Sequence, residues 1–241
     1  MQISINNLVK QFGEKTAVNI SDFTIASGDI LGLVGNNGAG KTTLFRLILD
    51  LLKADNGHVL IKSDDKDINP AESEEWKPFT GAFIDEGFLI DFLTPEEYFQ
   101  FIGKVNGMKK EQVEERLKEF EHFMGGEILG QKKLIRNLSA GNKQKVGIIS
   151  ALLNKPELVI LDEPFNFLDP TSQNILKHIL KDYNHNSNAT ILISSHNLAH
   201  TVDISTRIAL LESGIIIRDM VNSDGSAKKE LETYFDQDTA Y

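Results

Sequence analysis

The 241-residue sequence predicts an α/β fold: a mostly parallel sheet with flanking helices, an N-terminal antiparallel β part and an inserted α-helical lobe. Three observations predict it. A continuous apolar run, Ile30 to Val34, leads into a glycine-rich loop and then a helical pattern. Strand-like runs separated by helical segments return after residue 157, and a helical block lies between the two strand-rich parts.

Taken in order, Ile3, Ile5 and Leu8, then Val18, Ile20, Phe23 and Ile25, are spaced as half-buried strands. The next run, Ile30, Leu31, Leu33 and Val34, has no polar face, which suits a strand covered on both sides. It breaks at Gly35, and from Lys41 the residues Leu44, Leu47, Ile48 and Leu51 recur at helical spacing. Gly57 to Ile61 reads as a further strand. From Pro95 to Met124 the pattern is helical, with Tyr98, Phe101 and Ile102 on one face and Val113, Leu117, Phe120 and Phe123 on another. Glu114 and Lys118 fill the outside at i,i+4 spacing. Leu158 to Leu161, Thr190 to Ile193, Arg207 to Leu211 and Ile215 to Ile217 are strands again, with helices near 170–182 and 197–204. Strands alternating with helices imply right-handed crossovers and a mostly parallel sheet. Ala227 to Phe235 reads as a charged surface helix with a frayed end. The expected division is a single domain with a core lobe of residues 1–84 and 157–241 and a helical lobe of residues 85–156.

Composition narrows the function. Lys plus Arg number 25 against 35 Asp plus Glu, a net charge of −10 that disfavours binding to a phosphate backbone, so no nucleic-acid partner is expected. Without cysteine there is no disulfide frame, thiolate nucleophile or Cys-ligated metal, which suits a reducing compartment. No apolar run approaches membrane-spanning length, and the N-terminus lacks a basic start and apolar block.

The chemistry is concentrated in the loop Gly35-Asn36-Asn37-Gly38-Ala39-Gly40-Lys41-Thr42. Glycine, four residues, then Gly-Lys-Thr, directly after a buried strand and before a helix, is the spacing of a phosphate-binding loop, and it places the fold among P-loop NTPases. The glycines let successive N–H groups turn inward, and the helix adds its positive N-terminal end. Lys41 reaches the β- and γ-phosphates in such a loop and the Thr42 hydroxyl ligates magnesium. Leu158 to Leu161 ends in Asp162 and Glu163, where an open α/β sheet presents ligand-binding groups. Asp162 is the candidate magnesium residue and Glu163 the candidate base that polarises water. By themselves, two acids after a strand are more often a solvated strand end or a helix cap.

Three further segments, Leu138-Ser139-Ala140-Gly141-Asn142-Lys143-Gln144, Pro164 to Pro170 and Ser194-Ser195-His196, complete a pattern in which the whole chain resembles the ATP-binding subunit of an ABC transporter. The resemblance implies nucleotide contacts from Phe12, Val18, Gly35, Asn36, Asn37, Gly38, Ala39, Gly40, Lys41, Thr42 and Thr43, with ATP and Mg2+ bound together. It also implies that Ser139 and Gly141 reach the γ-phosphate held by a second nucleotide-binding subunit, that Asp169 links the two sites, and that His196 holds the catalytic geometry with Glu163 and Lys41. Each has a structural alternative: Ser139 and Asp169 as helix N-caps, Phe12 as packing against the first sheet. In relatives, Phe12 is usually Tyr, and a Phe keeps the ring face for stacking on adenine.

Two departures from the family pattern stand out. Ala140 replaces a glycine and Asn142 a glutamine in the signature segment. Asp85 aligns with a glutamine that ligates magnesium and senses the membrane partner; it is shorter and charged, can still take a magnesium water, and resembles exporters of drugs and peptide antibiotics. Around it, Phe88, Leu89, Ile90, Phe92 and Leu93 are either an exposed groove for a permease helix or lobe core. The resemblance therefore implies an ATPase subunit, cytoplasmic and peripheral at the inner face of the membrane, that closes as a homo- or heterodimer and drives separately encoded transmembrane permease subunits, in the direction of export. The alternatives are a non-transport ATPase of the same type, such as an iron–sulfur assembly factor, and a nucleotide-binding regulatory module.

Overall fold

The computed structural model describes residues 1–63, 66–222, 227, 230, 231, 233 and 234. In chain order the strands are β1 (Gln2–Phe12), β2 (Lys15–Ile25), β3 (Ile30–Val34), β4 (Asn56–Ser63), β5 (Lys66–Ile68), β6 (Thr80–Phe83), β7 (Leu158–Leu161), β8 (Thr190–Ser195), β9 (Arg207–Glu212) and β10 (Ile215–Val221). The helices are α1 (Lys41–Ile48), α2 (Pro95–Val105), α3 (Lys110–Lys118), α4 (Glu121–Met124), α5 (Ala140–Leu152), α6 (Pro170–Ser187) and α7 (Leu198–Ile204). An antiparallel sheet has the order β2-β1-β4-β5, and a second sheet the order β10-β9-β3-β8-β7-β6. In the second sheet every pair is parallel except β10 with β9.

Alternation along the central strands divides the core. Leu158 and Ile160 of β7 face the layer made with β1, β2 and α1, where Ile3, Ile5, Leu33 and Phe45 are buried. Val159 and Leu161 face the other side, against Ile149 of α5, Leu176 of α6 and the lobe residues Phe99 and Phe123. Because both faces are covered, all residues of β3, β7 and β8 are buried, as the apolar runs of β3 and β7 require; β8 also buries Thr190, Ser194 and Ser195.

Several expectations are corrected in detail. The helical stretch from Pro95 to Met124 is three helices, broken after Val105 by Gly107 at φ +73°. Its first helix starts at a capping box between Thr94 and Glu97. That helix buries Pro95, Tyr98, Phe99 and Gly103 and leaves Phe101 exposed, so the apolar stripe is turned by about one residue from the predicted one. Leu51 lies beyond the end of α1 and is exposed. Phe88 and Phe92 are 51% and 65% exposed, while Leu89 is buried and Ile90 and Leu93 pack on the lobe core, so the apolar segment is half core and half surface. Of the expected C-terminal surface helix, Ala227, Glu230, Leu231, Thr233 and Tyr234 are helical; Ala227 and Leu231 are buried against Val34, Ile208 and Leu210, and the other positions lie outside the described residues. Among the described residues no helix is long and apolar enough to cross a membrane.

The sheet bearing the acidic strand is pressed tightly by α5. A Cβ placed on Gly81 of β6 would stand 1.8 Å from the Ala151 carbonyl oxygen. The neighbours are the Ala151 backbone and the Pro156 ring, neither of which can swing aside, so Gly81→Ala is expected to cost about 1–3 kcal/mol or more in unfolding free energy, read from denaturant midpoints.

Candidate active site

The glycine loop joins β3 to α1 at the C-terminal edge of the parallel sheet. Gly40 holds φ at +112°, and a Cβ there would stand 2.3 Å from the Ala17 carbonyl oxygen, so only glycine lets the loop pass under β2. It also serves as the N-cap of α1 with no side-chain cap, leaving the first N–H groups of the helix for an anion. Lys41 is buried, and its Nζ donates to the carbonyls of Gly35 (2.6 Å) and Asn36 (3.4 Å) while lying 3.5 Å from Glu163 Oε1. A cavity of about 300 Å³ opens here between Phe12, Lys15 and Ala17, the loop residues 36–43, and Glu163.

Parallel pairing of β7 with β8 matches Leu161 to Ile193, so the residues that follow, Asp162 and Ser194, sit side by side. Asp162 is buried; its Oδ2 accepts from the Thr42 hydroxyl at 2.5 Å and its Oδ1 from the Ser194 hydroxyl. Burial pushes its carboxyl above the ordinary value, against the pull of the Ser194 and Thr42 hydrogen bonds, and the neighbouring Glu163 charge pushes the same way. Glu163 itself holds a left-handed φ of +47°. Its Oε2 meets His196 Nδ1 at 2.9 Å and accepts from the His196 backbone N–H at 3.3 Å. One carboxylate is thereby set between the loop lysine and the histidine at the end of the next strand.

The cavity gathers Phe12, residues 36–43 and Glu163, whereas Val18 is fully buried in the core and Ala17 takes its place at the wall. Phe12 is half exposed, with the Lys10 ammonium 5.6 Å from its ring centre. Ser139 and Asp169 do not line this cavity and cap helices: Ser139 Oγ accepts from Asn142 N–H at 3.2 Å, and Asp169 Oδ1 from the N–H groups of Thr171 and Ser172. Hydrogen bonding from the Ser172 hydroxyl and backbone holds the Asp169 carboxyl below its ordinary value. Gly141 lies under the Phe167 carbonyl, where a Cβ would come within 2.7 Å. Asp85 pairs with Arg46 of α1 at 3.0 Å and caps the short turn Glu86–Phe88 through Gly87 N–H. Among the described residues no group of three or more His, Asp or Glu side chains is placed to hold a metal ion; of the expected magnesium residues, Thr42 and Asp162 touch, while Asp85 pairs with Arg46.

Sequence reasoning passed over three residues at this site. Ser194 links Asp162 to Glu163, Gln144 of α5 donates to the Glu163 carbonyl at 3.2 Å, and Lys15 lines the cavity. Ser194 follows the apolar run Ile191 to Ile193 and stands two residues before the candidate site residue His196, which was the available signal for it.

The oxygen donors suit a hard divalent cation: the Thr42 hydroxyl and the buried Asp162 carboxylate lie together at the mouth of the phosphate loop. The same burial makes a prediction. A carboxyl raised in the folded state favours folding below its ordinary range, and that contribution is lost as pH rises through the raised value, so at neutral pH the charge weighs against the fold. Asp162→Asn, which can still accept from Ser194 and donate to Thr42, is therefore expected to raise the melting temperature of the protein by roughly 2–4 °C per kcal/mol recovered. An unchanged or lower melting temperature would contradict it.

Comparisons with known proteins show the family and the fold. The family described as "ABC transporter" matches residues 18–166. The chain is 32% identical, over 97% of its length and 74% of the relative's, to the bacitracin transport ATP-binding protein BcrA of Enterococcus faecalis. It is 34% identical, over 89% of its length and 96% of the relative's, to the tungstate uptake system ATP-binding protein TupC of Peptoclostridium acidaminophilum. A solved ATP-binding subunit of an ABC transporter superposes with a TM-score of 0.82 at 25% identity, covering 96% of this chain and 94% of that one.

Proposed function

The chain belongs to the ATP-binding family of ABC transporters, an ATPase family whose members dimerise and act with transmembrane subunits, and from that premise we propose how its residues bind and cleave ATP and which way the work is directed. The observation that carries the reading is the placement of Glu163 between Lys41 and His196, beside the Thr42–Asp162 pair.

Lys41, already anchored by loop carbonyls, presents its charge to the β- and γ-phosphates, and the loop N–H groups cradle them. Phe12 offers a ring face to the adenine. Thr42 and Asp162 would hold Mg2+, which would supply positive charge to offset that of the phosphates. Glu163 orients a water in line with the γ-phosphorus and draws its proton, the water oxygen bonds to phosphorus, and the bond to the ADP oxygen breaks. His196, hydrogen-bonded to Glu163, fixes that carboxylate. Ser139 and Gly141 complete the site of a second subunit from the N-terminus of α5, so closure around two nucleotides performs the work. Helix capping by Ser139 and Asp169 is compatible with these roles, because capping fixes the backbone that faces the partner.

Relatives include a bacitracin transport protein and a tungstate uptake protein at similar identity, so likeness divides between directions. The export assignment rests on Asp85 in place of glutamine. Its carboxylate is committed to Arg46, so its link to the nucleotide runs through α1. The half-exposed Phe88 and Phe92 beside it offer the permease contact. The test is phosphate release by the purified chain, expected with Mg-ATP and lost on chelation, followed by reconstitution with the membrane subunits. Substrate moving away from the ATP-bearing side supports export; movement towards it overturns that assignment alone.

A further inference from the structure

Glu163 is a non-glycine residue in the left-handed region, φ +47°, and its carboxylate reaches both His196 and Lys41 from that backbone pose. Were φ to relax to the right-handed or extended region, its Cβ would point elsewhere and both contacts would open. Something must hold the pose, and two side chains outside the metal and phosphate sets grip the Glu163 peptide groups.

On one side, Ser194 is fully buried at the end of β8. Its single hydroxyl proton is donated to Asp162 Oδ1, so its oxygen is left to accept from Glu163 N–H at 2.8 Å. The chain of donation runs Glu163 N–H to Ser194 to Asp162, and each bond polarises the next. On the other side, buried Gln144 of α5 donates through Nε2 to the Glu163 carbonyl at 3.2 Å; that carbonyl also accepts Asn166 N–H at 3.1 Å. The grip therefore comes from β8 on the N–H and from the helix behind the signature segment on the C=O.

We propose that Ser194 and Gln144 are positioning residues that clamp the left-handed peptide of Glu163 and so aim its carboxylate at the attacking water. The proposal rests on Glu163 acting as the catalytic base. A residue that merely packs would, when changed, lower stability or nucleotide affinity; a residue that aims the base lowers kcat and leaves ATP binding alone.

The experiment is a set of double-mutant cycles. Ser194→Ala and Gln144→Leu are made in the wild-type and Glu163→Gln backgrounds. For each, kcat and KM for ATP are measured at saturating magnesium, with ATP dissociation constants from equilibrium binding and unfolding midpoints from denaturant. The expected result is a fall in kcat of roughly 10–100-fold for each change in the wild-type background, with KM and the ATP dissociation constant within about twofold. In the Glu163→Gln background the same changes cost less than about twofold, because the aimed carboxylate is already gone. Equal fold-losses in the two backgrounds, or a kcat within about threefold of wild type, would overturn the clamp. If Ser194→Ala fails to fold, Ser194→Thr and Ser194→Val serve in its place, since they differ only by hydroxyl against methyl: kcat kept by Thr and lost by Val supports the clamp, and equal kcat overturns it. Failure of the underlying reading looks different, because wild-type protein without turnover, or Glu163→Gln with full turnover, removes the base itself.

Discussion

Glu163→Gln is expected to lower phosphate release by roughly 10²–10⁴-fold while leaving ATP binding intact. The substitution keeps shape and a hydrogen-bonding oxygen but removes the acceptor for the water proton. It also removes the charge that faces Lys41 at 3.5 Å, so the lysine keeps its loop carbonyls and the phosphates keep their cation. Binding and chemistry should thus separate cleanly: an unchanged ATP dissociation constant with a collapsed kcat. Turnover within tenfold of wild type would move the base to another residue. His196, whose Nδ1 lies 2.9 Å from the carboxylate, is the neighbour to test next.

Lys41→Ala is expected to act on binding. Its ammonium is buried and already fixed by Gly35 and Asn36, so it presents charge to an arriving phosphate with little ordering cost. Truncating it removes that charge from a buried setting and leaves the Gly35 carbonyl without its donor. Losses of this kind amount to about 2–4 kcal/mol, or roughly 30- to 1000-fold in Kd for ATP. Equilibrium binding by calorimetry or nucleotide fluorescence reads it directly, and an ATP affinity within threefold of wild type would show that the loop N–H groups suffice.

Much of this site was legible in the chain because its determinants are local. The glycine spacing, the apolar run before it and the helical phase after it all lie within residues 30–48, and physical chemistry ties each to a backbone need. Asp162 and Glu163 were legible for the same reason, as acids at the end of an apolar strand. What escaped depended on register and packing across distance. Ser194 meets Asp162 only because β8 pairs in parallel with β7, and Gln144 meets Glu163 only because α5 lies across the sheet. Asp85 reads as a metal group from its aligned position, yet its nearest cation is Arg46, one and a half helical turns beyond the phosphate lysine. Phe101 fell on the wrong face because Tyr98, Phe99, Phe101 and Ile102 allow two adjacent stripes, and the lobe core chose the one with Phe99. Val18 was predicted beside the nucleotide, but strand alternation turns it into the core and leaves Ala17 at the cavity.

The central claim is that this chain binds ATP at its glycine loop and cleaves it through Glu163. The most direct measurement is the chemical identity of the nucleotide retained after wild-type and Glu163→Gln proteins are incubated with radiolabelled ATP and magnesium and freed of unbound nucleotide by rapid gel filtration. The predicted result is ADP from the wild type and uncleaved ATP from Glu163→Gln, in comparable amounts. Recovery of ADP from Glu163→Gln at the wild-type rate, or of uncleaved ATP alone from the wild type, would contradict it.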